Sequence, residues 1–249
     1  MRIAENCYAI TGLGYLPPWE VNAGFAVGKE YTLVIDTGGT MLAAQTIHGY
    51  ATCARPENQL IVINTERHLD HVNGNAFFRS KEVEIYGHHK IVRQPSDLES
   101  DIVDYNACIP DPIRRAAGEA QAFFQGTAID NPTRPIHDEM ELNLGGLEIQ
   151  IIFTPGHTPT NISVFLPLEG VLYCGDCMVQ AYAPNLDAGG PAEWQTWLES
   201  LDKIERLQPK VVMPGHGNVL KGAEISREIE RIRATIETAL DLKKNQPPI

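Results

Sequence analysis

The sequence predicts an α/β fold, and three observations carry that prediction. Short apolar, β-branched runs alternate with helical stretches from about residue 41 onward. Four of those runs lead within a few residues into loops holding histidines and carboxylates. No repeat, low-complexity tract or linker interrupts the 249 residues, so 1–249 reads as a single domain.

Taken in order, the opening is β-rich. Residues 7–10, 24–27 and 31–35 are strand-like runs, divided by the turn-forming GLGYLPPWE and GKE. A helix is expected over 41–54. The next strand, 60–63 (LIVI), enters NTERHLDH, where a helix over 72–79 can begin. A strand over 83–86 precedes a mostly helical stretch, roughly 87–125, expected to cap one edge. Strands over 147–153, 171–173 and 211–213 then run into TPGHT, CGDC and PGHG. At the end, Ile225, Ile229, Ile232, Ile236 and Leu240 recur at steps of three and four, the mark of an amphipathic helix packed on the body.

Composition narrows the function. A net charge of −12 leaves no basic stripe for nucleic acid. No apolar run approaches the ~20 residues of a membrane span. The five cysteines have no framework-like spacing and suit a reducing compartment. The first residues read as a strand rather than a signal peptide. The expectation is therefore a cytoplasmic protein acting on a small molecule, with neither nucleic acid nor membrane as partner.

The chemistry concentrates after the apolar strands. Glu66-Arg-His68-Leu-Asp70-His71 places four metal-capable groups in six residues, more than one ion needs from one segment. His157, Asp176 and His216 each follow their own strand, and each has a glycine before it that lets the backbone turn sharply. Sites in α/β sheets form where loops leave the carboxyl ends of strands. Imidazole mixed with carboxylate suits zinc, and also iron or manganese.

These blocks, in this order, resemble the metallo-β-lactamase superfamily, whose signature is His-x-His-x-Asp-His, then Gly-His-Thr, Gly-Asp and Pro-Gly-His-Gly. The resemblance covers about residues 2–220 and implies the four-layer αβ/βα sandwich with metals at one edge. It implies one divalent ion on Glu66, His68 and His157, a second on Asp70, His71 and His216, and Asp176 between them. Asp36, in VIDTG, matches the family's upstream aspartate, a hydrogen-bonding rather than a ligating residue. Glu66 is the departure, since the family usually has histidine there. A third carboxylate makes a two-ion core formally neutral with a hydroxide, weakens its Lewis acidity, and makes iron or manganese more compatible than usual beside zinc.

The activity implied is hydrolysis of a small ester, thioester, lactone or lactam by a water activated between the ions, with Asp70 orienting that water and passing on its proton. The extra helical domain of the glutathione-thioester branch, the nuclease insertion and a flavin domain are all expected to be lacking. Two alternatives stay open: a non-haem di-iron oxidoreductase of the same fold, and a metal-binding sensor with weak hydrolase activity. Tyr15, Trp19 and Tyr182 are candidates to cover substrate. Cys174 and Cys177 are expected to be ordinary buried thiols, Trp194 and Trp197 core, and His48, His88, His89 and His137 non-catalytic.

Overall fold

The computed structural model describes residues 1–14, 20–108, 127–180, 182–187 and 189–244. The first sheet contains β1 (Cys7–Leu13), β2 (Val21–Val27), β3 (Tyr31–Ile35), β4 (Gln59–Asn64), β5 (Glu84–His88) and β6 (Arg134–Ile136), hydrogen-bonded in that order. The second contains β7 (Met140–Asn143), β8 (Glu148–Phe153), β9 (Ile162–Leu166), β10 (Val171–Tyr173), β11 (Val211–Met213) and β12 (Leu220–Lys221), also side by side in sequence order. The helices are α1 (Met41–Ala54), α2 (Leu69–Val72), α3 (Asn75–Arg79), α4 (Pro95–Cys108), α5 (Pro191–Leu207) and α6 (Ala223–Lys244).

Three apolar clusters define four layers. Between the sheets, Leu33, Ile35 and Ile63 pack against Ile149, Ile151, Val164 and Tyr173. Outside the first sheet, α1 and α3 bury Ala44, Ile47 and Phe78 on Val34, Val62 and Ile85. Outside the second, Trp197, Leu201, Ile229, Ile232 and Ile236 of α5 and α6 cover Leu172 and Val212. In the expected αβ/βα sandwich the central strands β3, β9, β10 and β11 are buried on both faces, which is why they read as near-continuous apolar runs rather than alternating ones.

Strand direction then decides where the loops go. β3, β4 and β5 run parallel, so Asp36 and the Glu66–His71 segment leave the same end of the first sheet. In the second sheet β8 and β10 are both antiparallel to β9, and β11 is parallel to β10. The loops carrying His157, Asp176 and His216 therefore share one end too. Cross-sheet hydrogen bonds lock the two rims together: Ile162 N donates to Thr65 O (2.7 Å) and Asn22 N to Gly215 O (2.8 Å).

Several expectations shift. β1 continues past Ile10 through a register irregularity, with Gly12 at φ +72°, where the sequence suggested a stop. The helix expected over 72–79 divides into α2 and α3, because Asn73 and Gly74 cap and restart the chain. Helix is absent from 87–94, where Gly87 and His88 finish β5; residues 109–125 of the expected cap lie outside the described ones. The strand β9, buried at every position, had no alternation to announce it.

Candidate metal centre

Asp36, first after β3, is a buried non-glycine residue with φ of 62°. Its carboxylate accepts from Thr65 N (2.7 Å), Thr65 Oγ1 (2.7 Å) and His71 Nδ1 (2.9 Å). A left-handed aspartate is tolerated because its short polar side chain bonds locally. The bond to Nδ1 keeps a hydrogen on that nitrogen, so Nε2 is the atom whose lone pair becomes available inward when its proton is displaced. His216 is oriented in the same manner, Nδ1 donating to the Glu20 carbonyl (2.7 Å). Arg93 steadies the loop between the clustered residues by donating Nη1 to the Arg67 carbonyl (3.0 Å) and Nη2 to Asp101 (2.5 Å).

All seven sequence-predicted side chains meet at this rim. Donor atoms of Glu66, His68, His157 and Asp176 lie within 4.8 Å of one another, and those of Asp70, His71 and His216 form a second such group. Asp176 lies between the groups: Oδ1 is 3.4 Å from His71 Nε2, while Oδ2 is 3.4 Å from His157 Nε2 and 3.3 Å from His216 Nε2. Asp70 Oδ2 is 3.3 Å from His216 Nε2 and 3.7 Å from His71 Nε2. Two donors on one tetrahedral ion with bonds near 2.1 Å sit about 3.4 Å apart. Most of these contacts have that length, and only His68 Nδ1 approaches Glu66 Oε1 (2.8 Å) and His157 Nε2 (3.1 Å) as closely as a hydrogen bond does.

The donors also behave as a set built around cations. Glu66 Oε2, Asp70 Oδ1, His71 Nε2 and Asp176 Oδ1 are buried with no hydrogen-bond partner. A buried polar atom left unpaired costs free energy, and four on the side chains of one cluster call for a partner that the protein itself does not supply. Burial alone would discharge these groups. Instead, burial that pushes Asp176 upward is outweighed by His216 and His71, which hold it well below the usual carboxylate range. Burial likewise lowers His157, yet Glu66 beside it brings the imidazole up to about 9. His71 and His216 are raised well above ordinary histidine against the same burial, chiefly by Asp70 and Asp176 respectively. Carboxylates and imidazoles thus balance one another by holding protons that a divalent cation would displace. The residues fit a metal.

Glycine is required at two points. A Cβ on Gly156 would lie 2.2 Å from the Trp197 Cβ, and one on Gly215 would lie 1.9 Å from Asp176 Oδ1. These two glycines allow close approach to protein neighbours. Trp197 is core, as expected, but it also supports the centre: its ring meets His157 edge-on at 5.5 Å, and Nε1 donates to the Cys177 carbonyl (2.9 Å). Asn22 bonds the Pro214 and Gly217 carbonyls around His216 (3.0 and 2.8 Å). Neither support role has a local sequence signal, because both contacts span the chain.

The remaining candidates divide. Tyr15 and Trp19 lie outside the described residues. The Tyr182 hydroxyl bonds Glu20 Oε1 (3.4 Å), one residue link from His216 rather than among the clustered donors. Cys174 and Cys177 are buried free thiols, and burial pushes Cys177 up to about 12. His48 packs against Phe77 and Phe78. His88, His89 and His137 stack on one another beyond Phe153, outside both donor groups.

Two mixed sheets between helices, with a donor-lined rim spanning both, define the scaffold class of the metallo-hydrolases. A model of the metallo-beta-lactamase superfamily matches residues 16–216, and the chain belongs to that superfamily. Among curated relatives, it is 23% identical over 224 residues to the linear primary-alkylsulfatase of Pseudomonas sp. (strain ATCC 19151), covering 82% of this chain and 42% of that one. It is 29% identical over 119 residues to the hydroxyacylglutathione hydrolase of Legionella pneumophila (strain Paris), covering 48% and 46%. The chain thus spans less than half the length of these two relatives. It covers 86% of "Probable metallo-hydrolase YqgX" of Bacillus subtilis (strain 168), at 24% identity over 80% of this chain. The fold is that of a metallo-beta-lactamase family protein from Thermus thermophilus, with TM-score 0.68, 20% identity, and coverage of 94% of this chain and 81% of that one. No helix among the described residues is long and apolar enough to cross a membrane.

Proposed function

We propose that the chain is a two-ion metallo-hydrolase of a small ester, thioester, lactone or lactam. The observation that carries this reading is the convergence of seven donors in two adjacent groups, with Asp176 touching both. Glu66, His68 and His157 would hold one ion; Asp70, His71 and His216 the other; Asp176 both. Zinc is the leading candidate, with iron or manganese compatible with three carboxylates in the set. A divalent pair supplies Lewis acidity, acidifying water and polarising a carbonyl.

The protein's own part falls to Asp70. At 13% side-chain exposure it is the most open of the three carboxylates, against 0% for Glu66 and 8% for Asp176. Burial would raise its pKa, but His71 and His216 keep it below the ordinary value, so it is an anion at neutral pH. Its Oδ1 has no partner, leaving it free to orient an attacking water and take its proton for the leaving group. His71 and His216, each tied through Nδ1, hold the floor fixed beneath the scissile group. A cytoplasmic setting is supported by four described cysteines that are all free thiols.

The test is metal-loaded protein on a panel of esters, thioesters, lactones, β-lactams and sulfate esters, with Asp70→Ala alongside. We expect turnover of at least one carbonyl substrate and a loss of about a hundredfold or more in Asp70→Ala. An equally active Asp70→Ala, or inert protein at full metal occupancy, refutes the assignment. Iron with a visible chromophore in the purified protein would favour the di-iron oxidoreductase reading, which the carboxylate-rich donor set makes the second choice.

A further inference from the structure

We infer that Glu66 is a second carboxylate bridge between the two ions, beside Asp176, rather than a terminal ligand replacing the family's histidine. This rests on the two-ion reading above. The fully buried Glu66 places Oε1 2.8 Å from His68 Nδ1 and 3.6 Å from His157 Nε2, both of one donor group. The same oxygen lies 3.5 Å from His71 Nε2, which belongs to the other. Those last two lengths match the ~3.4 Å between neighbouring donors on one tetrahedral ion.

Asp176 shows the same relation from the opposite side. It lies 3.4 Å from His71 Nε2 and 3.4 Å from His157 Nε2, one nitrogen from each group. Glu66 and Asp176 therefore both touch the pair His71 and His157, and a carboxylate that neighbours donors of both ions sits between them. Histidine cannot do this, because a neutral imidazole offers one lone pair to one cation. A carboxylate has two oxygens with about four acceptor directions, and Glu66 Oε2 is buried without a partner. The substitution at 66 thus changes the kind of site. It replaces a terminal nitrogen by a shared oxygen, giving a doubly carboxylate-bridged centre suited to hard ions such as manganese.

Manganese(II) is the probe, because electron paramagnetic resonance separates exchange-coupled ions from isolated ones without any turnover. Metal-free wild type, Glu66→His, Asp176→Asn and the double variant are titrated with Mn(II), with bound metal counted at each step. We expect wild type to saturate at a coupled pair and Glu66→His to hold a pair with weaker coupling. Asp176→Asn should keep a coupled signal because Glu66 still spans the ions, and the double variant should be weakest of all. Coupling in Glu66→His equal to wild type overturns the bridge while leaving the two-ion reading intact. So does complete loss of coupling in Asp176→Asn at full occupancy, a result that stands even if Glu66→His binds metal poorly. Wild type saturating at one ion overturns the two-ion reading itself.

Discussion

Replacing Asp36 by asparagine should cost metal affinity far more than stability. Asparagine tolerates the left-handed backbone at φ 62°, so the turn survives. Its amide oxygen can keep the 2.7 Å bond from Thr65 N, and the Thr65 hydroxyl can rotate to accept from the new amide. His71 has no such freedom. With an NH2 group where Oδ2 stood 2.9 Å away, its Nδ1 must become the acceptor, and a neutral His71 then keeps its hydrogen on Nε2. In the metal-free protein Nε2 faces the Glu66 and Asp176 carboxylates, 3.5 and 3.4 Å away, whether or not Asp36 is replaced, so little is lost. Burial already pushes Asp36 upward against the pull of His71 and Thr65, and removing a buried charge relieves part of the cost.

Stability should therefore fall by only about 1 kcal/mol, the net worth of one hydrogen bond. A cation, by contrast, needs the Nε2 lone pair, and lost support of a ligating histidine typically weakens metal binding 10–100-fold, about 1.4–2.8 kcal/mol. Chelator competition titrates the ions, and thermal melting of metal-free protein reads stability. Wild-type affinity for both ions in Asp36→Asn would refute the tautomer argument; an affinity loss that merely tracks unfolding would refute the separation of the two effects.

Gly156→Ala should act the other way, through packing. Its Cβ would fall 2.2 Å from the Trp197 Cβ at a φ of +148°, so stability should drop by roughly 3 kcal/mol and Tm by about 6–12 °C; an unchanged melt contradicts the close approach. Melting against pH gives an independent check. His157 is raised from 6.5 to about 9 in the folded metal-free protein, so its contribution, about 3 kcal/mol, is complete below pH ~6.5 and disappears as pH rises through ~9. The depressed carboxylates of Asp70 and Asp176 work in the opposite window, present above pH ~4 and lost in acid. Metal-free protein should be most stable near pH 5–7 and lose Tm toward pH 9.5. Metal affinity should rise over the same range, up to tenfold per pH unit for each displaced proton. A flat metal-free melt from pH 7 to 9.5 would contradict the proton-held cluster.

How much of this could be read beforehand depended on whether the information was local. The helix bounds of α1 and the strands β3, β10 and β11 were legible residue for residue, because apolar runs there end at clear turn formers. The clustering of the seven side chains was legible because they follow only four strands, four of them in one segment after β4, and a shared direction brings those strand ends together. What escaped was non-local. β9 is apolar apart from Ser163 and buried at every position, so no period marked it. Asn22 reaches carbonyls nearly two hundred residues away, and Trp197 meets His157 across two elements, contacts that no window along the chain contains. Glu66 is the instructive case: its identity flagged a departure, but only the distances to His71 and His157 indicate that its oxygen faces both donor groups.

Metal content decides the central claim most directly. Protein isolated without chelators and then titrated to saturation should bind a pair of divalent ions per chain, as counted by elemental analysis, with the second ion lost first from Asp70→Ala. Protein that retains and takes up no stoichiometric metal, while melting cooperatively as a folded domain, would contradict it.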